Sequence, residues 1–232
     1  MINPLAQVVW HSASARGPRS VNADAASGFG EPPVFAVADG IGDSPAAARA
    51  ARIAVSAAVL TSAGPVDSLL AAQGAVSGDP SSGDCVLVVA VPYAGGYHIG
   101  WVGDVRAYAW DGASLRQLTH DHTLAQYFRD RGQDASPQME HMVTTSVRTA
   151  GATRFGLTAL RRPAGLLLTT DGVHKRLPPA TMAELLRRPS NSARSLVDAA
   201  LAAGGTDNAT ALLVECEPRL SEPATEAFAV AA

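Results

Sequence analysis

Residues 34–43 read VFAVADGIGD, and the reading of this stretch decides the fold. Val34, Phe35, Ala36, Val37 and Ala38 form a run too short for a helix, with the β-branched and aromatic content of a covered strand. The run breaks at Asp39-Gly40. A carboxylate at a strand end, beside a glycine that lets the backbone come close to an ion, presents oxygen ligands to a hard cation. The same pattern returns at 165–172, GLLLTTDG, where Asp171-Gly172 ends an apolar strand. It returns in reverse at 206–215, TDNATALLVE, where Asp207-Asn208 opens one. Strand-end aspartates in three places call for one shared centre.

Working outward, residues 5–10 predict a first strand and residues 11–18 a polar loop leading to Arg19 and Asp24. Ser44-Pro45 supplies an N-cap and a first-turn proline to an Ala-rich helix running to Thr61, and a second helix is expected over 66–76. Strands are expected at 85–91, 97–102 and 106–110, separated by turn residues. A helix follows over 124–131. Residues 132–149 have little periodicity and read as a mobile surface flap. Two further helices, 178–188 and 191–203, follow the Asp171 segment before the last strand. Strands clustered in blocks, rather than alternating with helices, favour an α+β layered architecture over a doubly wound parallel sheet.

A chain of 232 residues with 47% hydrophobic and 17% charged residues suits one folded domain, here residues 1–220, with 221–232 as a flexible C-terminal tail. A formal charge of -3 gives no reason to expect nucleic acid or an anionic membrane as partner. The short pairs Arg161-Arg162 and Arg187-Arg188 read as solvated charge. Cys85 and Cys216 lack metal or redox spacing and are expected to be reduced thiols. The N-terminus has no signal-peptide pattern and no segment reaches bilayer length, so a cytoplasmic location is expected; a monomer is expected as well.

The acids next to turns are Asp24, Asp39, Asp104, Asp171 and Asp207, with the Gly40 carbonyl close by in sequence. An all-oxygen set suits Mg²⁺, Mn²⁺ or Ca²⁺ rather than Zn²⁺. Two such ions roughly 3.5–4 Å apart share and acidify a water for in-line attack on phosphorus. Arg19, with a planar fork matched to phosphate, is the candidate clamp for the non-bridging oxygens. His120 and His122 read as part of a helix-entry turn, and Trp10, Trp101 and Trp110 as core.

The ordered set Arg19-x-x-Asn22-x-Asp24, Val37-Ala38-Asp39-Gly40-x-Gly42, Gly103-Asp104-x-Arg106, Leu118-Thr119-x-Asp121-His122, Thr170-Asp171-Gly172 and Asp207-Asn208-x-Thr210 resembles the PPM family, the type 2C metal-dependent protein phosphatases. The resemblance implies an α-β-β-α sandwich of two antiparallel sheets flanked by helix pairs. By matched position, Asp39 would bridge two ions, Mn²⁺ or Mg²⁺. Asp171 and Asp207 would complete the first ion's ligands, while the Gly40 carbonyl and Asp24 would serve the second. Asp104 with Asp171 would offer a weaker third site. The implied reaction is hydrolysis of phosphoserine and phosphothreonine in proteins by direct attack of a metal-bridged hydroxide, opposing a serine/threonine kinase. The other readings are a catalytically weak phosphoprotein-binding module on the same fold and a phosphatase for small phosphomonoesters.

Departures from the family pattern are specific. Ala23 stands where an acidic second-metal ligand is found in some members, and Ile41 where some carry histidine. Asp43 replaces the final glycine of the DGxGG pattern and Val105 the serine of GDSR. Gly83-Asp84-Cys85 replaces Gly-Thr-Thr, and His174-Lys175 falls where an acid often follows the second DG.

Overall fold

The computed structural model describes residues 8–151, 154–161, 164–188 and 192–215. In chain order they form β1 (Trp10–Ala15), β2 (Asp24–Phe29), β3 (Val34–Gly40), α1 (Pro45–Val59), α2 (Pro65–Ser77), β4 (Cys85–Tyr93), β5 (Gly96–Val102), β6 (Arg106–Trp110) and β7 (Leu115–Gln117). There follow α3 (Leu124–Arg129), a 3₁₀ turn (Pro137–His141), β8 (Gly156–Arg161), β9 (Gly165–Thr169), α4 (Asp171–His174), α5 (Pro179–Leu186), α6 (Ala193–Ala202) and β10 (Ala209–Val214). Arg162, Asn191, Cys216, the 221–232 tail and the start of the expected first strand lie outside the described residues.

The strands make two antiparallel five-stranded sheets, ordered β1-β10-β9-β6-β7 and β2-β3-β4-β5-β8. Strand alternation sorts their side chains into three layers. Phe35, Val37, Val86 and Val88 meet Leu166, Leu168, Leu212 and Val214 between the sheets. The alternate residues Ala36, Ala38, Leu87 and Val89 pack under α1 and α2. On the other outer face, Leu167, Ala211 and Leu213 pack under α5 and α6. The result is the expected α-β-β-α sandwich. The alanines of α1 carry the packing there: Ala47, Ala50, Ala51, Ala54 and Ala58 are all buried, and their small side chains let the helix lie close to β3.

Ser44 caps α1 as expected, its Oγ accepting from the Ala47 N–H at 3.2 Å. Four strands differ from the sequence reading. Residues 11–15, expected as loop, form most of β1 because they pair with β10 along their whole length, with Ala13 and Ala15 on the face packed under α6. β2, β7 and β8 were not expected. β2 is built from small residues with low strand propensity and exists because its whole length is paired to β3. Among the described residues no helix is long and apolar enough to cross a membrane.

Candidate active site

Asp39 is the last side chain of β3 on the inter-sheet face, in phase with Phe35 and Val37. Its cross-strand partner on β2 is Asp24, and on β4 it is Val86. Two aspartates are thus held opposite each other by ladder register. Gly40 follows because nothing larger fits: a Cβ there would lie 2.5 Å from the Ala47 carbonyl oxygen. From the other sheet, Asp171 opens α4 directly after β9, and Asp207 precedes β10. These two ends are clamped together by Gly172, whose missing Cβ would fall 1.9 Å from the Asn208 carbonyl oxygen. Asp104 sits in the β5–β6 turn. The five acids read from the sequence therefore converge where the sheets' strand ends meet.

The cleft so formed holds about 270 Å³ and is lined by Arg19, Asp39, Gly40, Asp104, Asp171 and Asp207, with Ile41 and Asp43 at its edge. Asp24 is buried at 7% exposure. Burial first, and then the Asp171 and Asp207 charges, push its carboxyl up to about 7 against the pull of hydrogen bonds from Thr210 and Thr170. Asp39 is raised well above the ordinary carboxylate value by withdrawal from solvent, followed by the charges of Asp24, Asp171, Asp104 and Asp207. Among the described residues no hydrogen bond reaches the Asp39 carboxylate. Asp24 Oδ1 is buried without a partner, while Oδ2 accepts from Thr170 Oγ1 at 2.9 Å.

Cations and donors already engage the remaining acids. Arg19 Nη2 donates to Asp207 Oδ2 at 2.7 Å, and Arg19 Nε to the Thr206 carbonyl at 3.3 Å. Lys175 Nζ donates to Asp104 Oδ2 at 2.8 Å and Asp171 Oδ2 at 2.9 Å. Burial opposes the Lys175 charge, but Asp171 and Asp104 outweigh it and hold its pKa above the usual lysine value. No group of three or more His, Cys, Asp or Glu among the described residues is arranged to hold an ion as it stands. The donor set nonetheless fits hard divalent cations. Unpartnered carboxylate oxygens on Asp39 and Asp24, in a cleft of surplus negative charge, are acceptors for which the protein itself provides no donor.

Several residues noted in the sequence only as departures shape the site. Asp43 accepts from the Ser20 N–H at 3.1 Å and the Val21 N–H at 3.1 Å, so it anchors the loop that carries Arg19. Asn208, from the last matched motif and just before β10, anchors the same loop, accepting from the Ala23 N–H at 2.8 Å and donating to the Arg16 and Val21 carbonyls. Asp84 accepts from Ser146 Oγ, at 2.5 Å, and from the Arg148 N–H at 3.1 Å. It therefore ties the end of the 132–149 segment to β4. The signal for Lys175 lay in spacing: a lysine four residues after an aspartate meets it across one helical turn.

His120 and His122 do not join the acids. His120 Nε2 lies 2.9 Å from Asp130 Oδ2, and His122 Nδ1 accepts from the Gly103 N–H at 3.3 Å. Thr123 caps α3, so the expected helix-entry turn is present. Asp121 makes a two-pronged pair with Arg106, at 2.9 Å from Nε to Oδ1 and 2.6 Å from Nη2 to Oδ2, which fixes that turn against β6. Cys85 is buried, and burial pushes its thiol up, away from nucleophilic use.

The two-sheet sandwich with an acid-lined cleft at its strand ends is the fold of the PPM phosphatases. The chain superimposes on the PPM Ser-Thr phosphatase MsPP from Mycobacterium smegmatis, solved in complex with cacodylate, with a TM-score of 0.74, 24% identity and coverage of 91% of this chain and 100% of that one. It also superimposes on the catalytic domain of the serine/threonine protein phosphatase PstP in complex with two manganese ions, with a TM-score of 0.76, 23% identity and coverage of 91% and 99%. By sequence it is 31% identical over 139 residues to a serine/threonine phosphatase stp of Listeria innocua, covering 56% of this chain and 55% of the relative. The chain thus spans about half the length of the curated Listeria relatives it matches. No family model matches it. The resemblance carried by the six motifs is borne out in fold and in these relatives.

Proposed function

We propose that this chain is a metal-dependent protein phosphatase acting on phosphoserine and phosphothreonine. The observation that carries the reading is the Asp39 carboxylate, set among Asp24, Asp104, Asp171 and Asp207 with no donor of its own and facing a cleft edged by Arg19. Asp39 would serve two Mn²⁺ or Mg²⁺ ions, Asp171 and Asp207 would complete the first, and the Gly40 carbonyl and Asp24 would serve the second. When bound, such ions activate water for in-line attack on phosphorus and neutralise charge on the transferring group.

The protein's own residues do the rest. Asp24, Asp39, Asp171 and Asp207 supply oxygen ligands from both sheets, so the site is as rigid as the sandwich that holds it. The Arg19 fork grips non-bridging phosphate oxygens, and its loop is held for that purpose by Asp43 and Asn208. His141 and Val143 bring the 132–149 segment to the cleft wall, where a phosphopeptide would lie. Cys85 takes no part, which agrees with direct hydrolysis rather than a thiol intermediate. Phosphorylated proteins, and so a kinase that makes them, are the partners that follow from this chemistry.

The test is hydrolysis of a phosphothreonine peptide with Mn²⁺, with Mg²⁺ and after chelation, beside folded Asp39→Asn and Asp171→Asn variants. Metal-dependent turnover that collapses in both variants is expected. Absence of turnover in a wild-type protein that binds the ions and the peptide would assign the fold to phosphoprotein binding instead. Turnover of a small aryl phosphate but not of the peptide would restrict the activity to small monoesters.

A further inference from the structure

We propose that the third cation of this acid centre is built into the chain as the Lys175 ammonium, so that the cleft takes two divalent ions and no third. This rests on the two-ion reading above. Lys175 Nζ has three acceptors: Asp104 Oδ2 at 2.8 Å, Asp171 Oδ2 at 2.9 Å and the Glu140 carbonyl at 3.0 Å. They match the three N–H bonds of an ammonium, so the group is fully satisfied where it sits. Its side chain is 18% exposed, that of Asp104 6% and that of Asp171 16%, so the cluster is screened little by solvent.

Asp104 and Asp171 are the pair that motif position marks for a third ion, and both already have one oxygen committed to Lys175. A divalent ion entering between them would have to displace the ammonium or stand beside it, and like charges at such range repel strongly where water is scarce. The backbone of Lys175 is fixed beside the pair. Lys175 follows α4 directly, four residues after Asp171, and its backbone N–H bonds to the Asp171 carbonyl at 2.9 Å.

The third acceptor gives the ammonium a second consequence. Glu140 belongs to the 3₁₀ turn of the 132–149 segment, and its own carboxylate is paired with Arg129. Lys175 therefore joins the cleft wall to the acid centre through a backbone carbonyl, a link that holds at any concentration of free metal. The segment beside the cleft is positioned by the residue that caps α4 rather than by an exchangeable ion.

Equilibrium dialysis of the full chain against graded Mn²⁺, with bound metal counted by atomic absorption, tests this without reference to turnover. Wild type is expected to reach a plateau of two ions per chain, Lys175→Arg to keep two, and Lys175→Met to admit a third. Thermal unfolding in chelator checks that each variant is folded. A third ion in wild type, or no third ion in a folded Lys175→Met, overturns the inference. If Lys175→Met does not fold, the wild-type plateau decides alone. Fewer than two ions in wild type would sink the inference together with the metal reading on which it rests. Two ions without phosphopeptide turnover would leave it standing while removing the proposed activity.

Discussion

Asp24 and Asp39 stand directly opposite each other on neighbouring strands, paired by the β2–β3 ladder. Cross-strand partners have Cβ atoms roughly 4.5–5.5 Å apart, a separation at which like charges destabilise a sheet. At an effective dielectric of about 20, two full charges at that range repel by about 3 kcal/mol. The pair is tolerable only if a proton or a cation lies between its members. The fold thus stores a demand for positive charge at the end of its central strands.

Removing one member of that pair is expected to stabilise the metal-free protein while abolishing its function. In chelator, Asp39→Asn should melt several degrees above wild type, since each kcal/mol is worth roughly 2–4 °C in a domain of this size. The rise in melting temperature that Mn²⁺ gives the wild type should be absent from the variant. Thermal unfolding with and without Mn²⁺ measures both. A variant less stable than wild type in chelator would contradict the stored repulsion.

Asp24 has a pH signature of its own in the metal-free protein, set first by burial and then by the Asp171 and Asp207 charges. The folded-state pKa of Asp24, about 7, lies above the ordinary value of 3.8, so its ionised form costs stability above pH 7. That cost disappears as the folded protein takes up a proton between those two values. Asp24→Asn does not bear it. In chelator the variant's advantage in melting temperature should therefore be largest near pH 8 and shrink toward pH 5. An advantage that grows on acidification would refute the raised pKa.

Asp43 is expected to act through Arg19. Its carboxylate holds the Ser20 and Val21 N–H groups, and backbone hydrogen bonds from that loop lower its pKa. Asp43→Ala should raise KM for a phosphopeptide by about three- to tenfold, at the low end for charge-assisted bonds because the site is open to solvent. Mn²⁺ affinity should change little. Steady-state kinetics beside metal dialysis separates the two, and an equal loss in both would show that Asp43 acts on the ions instead.

Two glycines should respond in opposite senses. Gly172→Ala puts a Cβ 1.9 Å from the Asn208 carbonyl oxygen, backbone against backbone, and should destabilise by about 3 kcal/mol or more by parting α4 from β10. Gly74, exposed inside α2 with open space at its Cβ, should accept alanine with a gain of about 0.5–1 kcal/mol. Denaturant midpoints give both values.

Legibility in the sequence followed the strength of local signals. β3, β4 and β9 were readable because each is a short apolar run buried on both faces, and α1 because Ser44-Pro45 marks its start. β2 was not, since Ala, Ser and Gly there take strand conformation only through a paired neighbour. The acids were legible as strand-end carboxylates, and Arg19 as a fork near them. The parts played by Asp43, Asn208 and Asp84 were not, because each holds a loop distant in sequence through backbone groups that leave no residue pattern.

By itself the sequence determined the layers, through continuous apolar runs that suit strands buried on both faces, and the chemistry of the site, through the residue types at its strand ends. Only the tertiary structure decided which charges meet. Ladder register placed Asp24 against Asp39, and the junction of the two sheets brought Asp171 and Asp207 to them. The single turn of α4 carried Lys175 onto Asp104. Coulomb energy depends on separation in space and on exclusion of water, and neither is a property of residue order.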